Sequence, residues 1–532
     1  MSSFFTLPGS AKRKRAEAAT GNKSKKVRQN DARPTRKSRD EDEVLSDESE
    51  DENAAPLGSD EEDEDDEFAG ETAAEKRLRL AQQYLDNIRQ EVDEGEFDAA
   101  EIDRDLIAQR LKEDVAEEKG RLYRHIADKF AFDNAVSALF RMDSATTTGI
   151  AVSNPYIYTV TRDRYLIKWE LPAYPPSPAT KNNTPAKKPK RVRYVRGGRK
   201  GNQSFEGHTD DILCVAASAD GKFVVTGGKD HKLIAWDAEN LTILKVFAHH
   251  RAAVTGLVFR RGTNEVYSSS SDRTIKLWSL NELAYVETLF GHQDEVVGIS
   301  ALAGERCVTV GARDRTARLW KIVDETQLVF RGGGDGKARK NKDGSIRYEE
   351  GSMDVVAMID DEHFVTGSDN GNVSLWSIHK KKPIHTIQVS HGLASPPAPE
   401  KSSAETDPPQ EPPCPPQPRY VTALAAIPYS DLVLSGSWDG VVRVWKVTAD
   451  KKKLEPAGII GSEGSVRGVI NGISVIERGD RKEPELVICA GTGKELRLGR
   501  WMEVEGRNGG YVMVVKKNAL GSQKDTEGEG EA

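Results

Sequence analysis

His250-Arg-Ala-Ala-Val-Thr-Gly-Leu-Val-Phe-Arg260-Arg261-Gly-Thr-Asn-Glu-Val-Tyr-Ser268-Ser-Ser-Ser-Asp272-Arg273-Thr-Ile-Lys-Leu-Trp278 is the stretch on which the fold turns. Short runs rich in Val, Ile, Leu and Tyr alternate with polar turns, the pattern of successive β-strands. Counting back from Trp278, Asp272 stands six residues away, Ser268 ten and His250 twenty-eight. One period upstream the same set returns as His208, Thr226, Asp230 and Trp236. Tryptophan recurs at Trp169, Trp236, Trp278, Trp320, Trp376, Trp445 and Trp501, with gaps of 67, 42, 42, 56, 69 and 56. A base period of 42 suits a repeating unit of four short strands. The longer gaps require insertions, and three are visible: a Pro/Lys/Arg stretch near 171–203, a glycine-rich polar run near 331–345, and a segment near 390–419 with 10 prolines between Pro396 and Pro418.

Six residues before each tryptophan stands Asp163, Asp230, Asp272, Asp314, Asn370, Asp439 or Glu495. A hydroxyl stands ten before it in five units, and a histidine (His208, His250, His292) twenty-eight before it in three. A buried indole N–H needs an acceptor, and a hydroxyl linked through histidine to an aspartate supplies a closed chain of partners. This set resembles the structural tetrad of the WD40 family. The resemblance implies an all-β fold, a seven-bladed β-propeller over about 135–515, with each tryptophan on the third strand of its blade. Recurrence blade after blade marks these His and Asp residues as structural, since a catalytic or metal cluster would occur once. The seventh unit is irregular: Glu495 replaces the aspartate and Gly491 the hydroxyl residue. Tyr511-Val-Met-Val-Val515 is the expected outer closing strand, and which chain end completes the ring stays open.

The flanks differ in character. Residues 1–39 carry 12 Lys/Arg against two acids, and 40–67 carry 17 acids and no base. With almost no apolar periodicity, residues 1–67 are expected to be a disordered basic-then-acidic tail, and 516–532 a disordered C-terminal one. The basic clusters Lys12-Arg13-Lys14-Arg15 and Lys25-Lys26 have the form read by nuclear import receptors. Over 70–130, Leu78, Ala81, Leu85, Ile88 and Val92, then Ile102, Leu106, Leu111 and Val115, recur at helical spacing. An amphipathic helical segment is expected there, packed on its own propeller or serving as a docking arm. Cys214, Cys307, Cys414 and Cys489 lie far apart, which argues against a zinc module or disulfide framework. No apolar run is long enough to cross a membrane as a helix, so no membrane partner is expected.

Chemistry is hard to place. Gly332-Gly-Gly-Asp-Gly336-Lys337 and Gly491-Thr-Gly-Lys494 lack the spacing and the Ser/Thr of a phosphate-binding loop. No nucleophile–base set stands outside the repeating register. No enzyme, cofactor, metal or small-molecule substrate is expected. Positive charge is the stronger signal. Lys188, Lys190, Arg191, Arg193 and Tyr194 belong to an acid-free stretch over 181–203 that reads as a flexible basic loop, suited to phosphate contact and base stacking. Arg273, Arg313 and Arg315 flank the aspartates of their turns on one rim of the propeller, and Arg260-Arg261 sit in a turn on the opposite rim. These ten residues are the candidate RNA contacts.

Phe259-Arg-Arg-Gly-Thr263, Tyr285-Val-Glu-Thr-Leu-Phe-Gly-His-Gln-Asp294, Arg313-Asp314 through Trp320-Lys-Ile, Gln327-Leu-Val-Phe330 and Leu498-Gly-Arg-Trp501 resemble the WD40 subunit specific to the U3 small nucleolar ribonucleoprotein. The resemblance spans about 75–515 and fades in the 171–203 and 390–419 insertions. It implies a non-catalytic scaffold that recognises the box B/C region of U3 RNA together with a kink-turn-binding protein and other box C/D core proteins. Its setting would be the nucleolus, within the small-subunit processome and the early cleavages that yield 18S RNA. A protein-interaction adaptor of the chromatin or ubiquitin-ligase type, without RNA binding, is the alternative.

Overall fold

The computed structural model describes residues 123–141, 145–172, 188–199, 205–332, 351–394, 416–460, 466–479, 484–499 and 502–518, with short pieces at 111, 339–340 and 346–347. The import clusters, the acidic run and most of the expected helical segment lie outside the described residues; within that segment Leu111 is helical and Ala127–Lys129 form a short 3-10 helix.

Seven four-stranded antiparallel sheets follow one another along the chain. Blade 1 runs from Thr147–Ser153 to Lys190–Arg196, blade 2 from Ile212–Ala217 to Ile243–Phe247, and blade 3 from Val254–Phe259 to Ala284–Phe290. Blade 4 runs from Val296–Ala301 to Thr326–Arg331, blade 5 from Met353–Met358 to His385–Ile387, and blade 6 from Ala423–Ala426 to Leu454–Ile460. The first strand of each blade lines a central channel, and the fourth faces outward. Along the inner half of each sheet the side chains are almost wholly buried, as in the second strand of blade 3, Glu265–Ser270, because that layer is covered by blades on both sides.

Blade 7 departs from the sequence expectation. Its first three strands are Val469–Arg478, Glu485–Gly493 and Gly509–Lys516, and its outer strand is Val136–Phe140 from the N-terminal side. Tyr511–Val515 is thus the third strand, not the outer one, and the N-terminal segment closes the ring. Trp501 is not on that third strand and lies outside the described residues. In the other blades the tryptophan pairs with the second residue of strand two, as Trp236 does with Val224; in blade 7 Val515 holds that place, opposite Leu486. Residues 494–499 and 502–508, in the stretch that mimics a seventh repeat by spacing alone, belong to an expanded turn between strands two and three. Phe140 seals the closure, its ring edge-on to Trp169 of blade 1 at 4.8 Å.

Residues 190–196 are a second correction. They are the outer strand of blade 1, paired with Tyr165–Glu170, and not part of a flexible loop. Val192, Tyr194 and Val195 are good strand formers, and among the described residues blade 1 has no other fourth strand. The masking signal is their charge, which reads as a solvated loop.

Candidate nucleic-acid interface

The turns between strands two and three, together with the loops joining one blade to the next, form one face of the propeller, here the upper face. In blades 2, 3, 4 and 6 the turn is held from below by the tetrad. In blade 3, His250 Nδ1 lies 2.9 Å from Asp272, His250 Nε2 2.8 Å from Ser268 Oγ, and Trp278 donates to Ser268 at 2.8 Å. A carboxylate only accepts, so it takes the Nδ1–H; Nε2 then accepts the hydroxyl proton, and the hydroxyl oxygen accepts the indole N–H. Blade 2 repeats this with His208, Thr226, Asp230 and Trp236. Burial alone would raise the Asp272 carboxyl, but hydrogen bonds from His250, Thr274 and the Arg251 N–H outweigh it and hold it well below the usual carboxylate range.

Two further tetrads are complete that the spacing did not reveal. Blade 4 joins His292, Asp314, Thr309 and Trp320. Its hydroxyl stands eleven residues before the tryptophan, since one extra residue enters the hairpin between Thr309 and Asp314. Blade 6 joins His391, Ser435, Asp439 and Trp445. His391 is delivered across the proline-rich insertion, whose base is pinched shut where Leu393–Ala394 pairs with Gln417–Pro418. Arg419 adds a bond from its guanidinium to the His391 carbonyl at 3.0 Å.

The residue after each turn aspartate is left-handed: Arg164 (φ 66°), His231 (φ 64°), Arg273 (φ 69°) and Arg315 (φ 52°) in blades 1 to 4. The matching places in blades 5 and 6 are Gly371 and Gly440, the residue type that such a turn prefers. A side chain there costs about 1 kcal/mol. The tetrad aspartate holds the strain by accepting the N–H two residues on, as Asp272 does from Thr274 at 2.9 Å and Asp314 from Thr316 at 3.0 Å. Arg273, Arg313 and Arg315 are all exposed on this face, and the Arg313 N–H is tied to Asp294 at 3.1 Å. Arg164 follows Asp163 as Arg273 follows Asp272, a parallel that could have been read from the sequence.

The other candidates sort elsewhere. Arg260 on the lower face is engaged within the protein: its guanidinium meets Glu265 at 3.0 Å, Glu305 at 3.1 Å and the Ala303 carbonyl at 3.1 Å, bridging blades 3 and 4. Arg261 lies 5.8 Å over the Tyr429 ring. Lys188, Lys190, Arg191, Arg193 and Tyr194 are exposed on the outer flank of blade 1, on neither face.

Sequence reading missed the expanded turn of blade 7. Arg162 donates to Glu495 and to the Leu496 carbonyl (2.9 Å), and Asn471 donates to the Glu495 carbonyl at 3.0 Å. So pinned, the turn sends Arg497 into the mouth of the channel, where it donates to the carbonyls of Thr255 (2.9 Å) and Val297 (3.0 Å) in blades 3 and 4. These acceptors sit where a β-bulge interrupts the inner strand and frees the backbone from the ladder. Burial, with Asp369 nearby, pushes the channel-wall carboxyl of Asp354 up to about 7. Between blades 7 and 1 the turn borders a polar hollow lined by Arg141, Arg162, Asp163, Lys494, Glu503 and Arg507. Among the described residues no cluster of His, Cys, Asp or Glu is placed to hold a metal ion. Cys214, Cys307 and Cys489 are buried thiols pushed up to about 12 by desolvation, far from a reactive thiolate.

Comparison with known proteins bears on this arrangement. The family described as "WD domain, G-beta repeat" matches residues 200–237, 241–279, 284–321 and 415–446. Ribosomal RNA-processing protein 9 of Saccharomyces cerevisiae is 38% identical over 90% of this chain and 96% of its own. U3 small nucleolar RNA-interacting protein 2 of Homo sapiens is 38% identical over 84% of this chain and 83% of its own. The chain belongs to this family of U3 small nucleolar ribonucleoprotein WD-repeat proteins. The solved structure of U3-55K superposes with a TM-score of 0.56 at 33% identity, covering 71% of this chain and 98% of that one. The WD40 repeats of RRP9 give 0.57 at 32% identity, covering 71% and 97%.

Proposed function

We propose that this family member is a non-catalytic scaffold of the U3 ribonucleoprotein, and that its upper face holds the box B/C region of U3 RNA together with a kink-turn-binding protein. The observation that carries the reading is the left-handed Arg273 and Arg315, with Arg313 in the same turn as Arg315: rigid turns present cations where glycine would be less strained. Local strain of this kind is retained where a side chain is needed. Guanidinium groups fixed on a stiff scaffold lose little freedom on engaging phosphates, and can do so with two bonds each. Relatives named for U3 RNA interaction and ribosomal RNA processing support the same reading. Nucleolar residence, entry by import receptors that read Lys12–Arg15, and work in the small-subunit processome on early 18S cleavage follow from it.

The adaptor alternative would use the mouth of the channel as a peptide pocket. Here the chain's own Arg497 occupies that mouth, which counts against it. In-cell crosslinking with sequencing of the attached RNA tests the choice. Reads should concentrate on U3 box B/C; recovery of messenger RNA alone, or of none, would remove the proposal.

A further inference from the structure

We propose that the outer strand of blade 1 is a second, separate RNA contact that takes single-stranded RNA; the inference rests on the RNA-binding reading and extends it to another surface. The strand Lys190–Arg196 is seven residues long, contains no acid, and is exposed along almost its whole length. Four of its side chains are cations. Tyr194, 48% exposed, packs beside Tyr165 with ring centroids 6.1 Å apart. Arg191 lies 5.3 Å from the Tyr194 ring, and Arg196 5.3 Å from the Tyr165 ring. The result is a preassembled row of planes, two tyrosine rings flanked by a guanidinium group at each end (Arg191, Tyr194, Tyr165, Arg196), on the flank of the propeller. Arg193 is steadied by Asn240 of blade 2 at 3.4 Å.

Bases of any sequence stack on such planes while the cations take the phosphates, which is the chemistry of single-strand binding. A duplex hides its base faces and could use only the charge. An added protein strand is the competing occupant, and the geometry disfavours it. Val192 is the extra residue of a β-bulge opposite the Lys168–Trp169 step, and a bulge with basic side chains along an edge blunts it against strand pairing. The flank lies away from the upper face, so a strand bound here is a segment other than the one held by Arg273, Arg313 and Arg315.

The test uses the full chain and a fluorescein-labelled decauridylate followed by anisotropy, with melting curves as folding controls. Binding should persist when the upper face is disabled by R313A/R315A. In that background Y194A should weaken it roughly tenfold, the order expected for one lost stack, while Y194F keeps it. R191A/R193A should flatten the dependence of log affinity on log salt by about 1.4, two single-strand phosphates' worth. Decauridylate affinity unchanged by both Y194A and R191A/R193A would overturn the proposal. So would a seven-residue Glu/Val alternating peptide that binds this strand while the oligonucleotide ignores Tyr194. Failure of the upper-face reading shows separately, as undiminished U3 association of R313A/R315A.

Discussion

His391 Nδ1 stands 2.8 Å from Asp439 Oδ2, although 48 residues and a proline-rich insertion separate the two in sequence. Both side chains are nearly fully buried, and Nε2 of the same ring meets Ser435 at 2.8 Å. Blade 6 therefore depends on a residue that the repeat register assigns to nothing. Replacing His391 by Ala strands a buried carboxylate and a buried hydroxyl, at roughly 1–3 kcal/mol for each lost partner. We expect H391A to lower the melting temperature about as far as H250A does in blade 3. Asp163 occupies the aspartate place in blade 1 but is exposed, and D163A should cost no more than about 0.5 kcal/mol. Equal shifts for H391A and D163A in calorimetry would contradict the network.

Acid should attack the tetrads in two stages. Burial holds the His250 imidazole below its ordinary 6.5, against the pull of Asp272. The carboxyls of Asp230, Asp272, Asp314 and Asp439 lie below their ordinary 3.8, because hydrogen bonds from the histidines and neighbouring groups outweigh desolvation. In both cases the unfolded chain binds more protons, so the stability is present above the unfolded values and lost as pH falls. Asp354, pushed up to about 7, works the other way and gains stability as pH falls from about 7 towards 3.8, so the tetrad carboxylates show cleanly below about 3.8, where the melting temperature should fall steeply. The D272N variant should show a shallower acid limb. Equally steep losses for wild type and D272N below about pH 3.8 would contradict this.

Closure of the ring by the N-terminal side makes Phe140 a joint between blades 7 and 1. It packs among Ile150, Ile167, Trp169, Val487 and Val512. Truncation to alanine should cost about 3–5 kcal/mol, as for a buried aromatic. Val136, on the same strand but 45% exposed, should tolerate alanine with little loss. Chemical denaturation of F140A and V136A compares the two directly. Equal midpoints would mean that the C-terminal strands hold the ring without this joint.

How much of this was legible in the sequence depended on periodicity. Trp236, Trp278 and Trp320, with their aspartates, announce the blades because six of the seven blades bury an indole at the same place. Thr309 escaped because one extra residue in a hairpin shifts the hydroxyl from ten to eleven places before Trp320. His391 escaped because an insertion of arbitrary length separates it from its blade, and three-dimensional adjacency has no sequence period. Trp501 misled for the opposite reason: it has the period without the place. Arg497 and Arg162 make single, non-repeating contacts, which no register can flag. The strand Lys190–Arg196 was hidden by its charge, since edge strands exposed on both sides lose the apolar alternation that identifies buried ones.

The proposed U3 contact lies on the upper face. The direct measurement is pull-down of tagged full-length chain, with U3 RNA quantified per folded protein for R313A/R315A and for R260A/R261A. Arg260 bonds Glu265 and Glu305 inside the protein, so the second pair should lower the melting temperature while keeping U3 recovery near wild type. The first pair should melt normally and lose U3 roughly tenfold, the scale of one or two lost arginine contacts. Full U3 recovery by folded R313A/R315A would contradict the account.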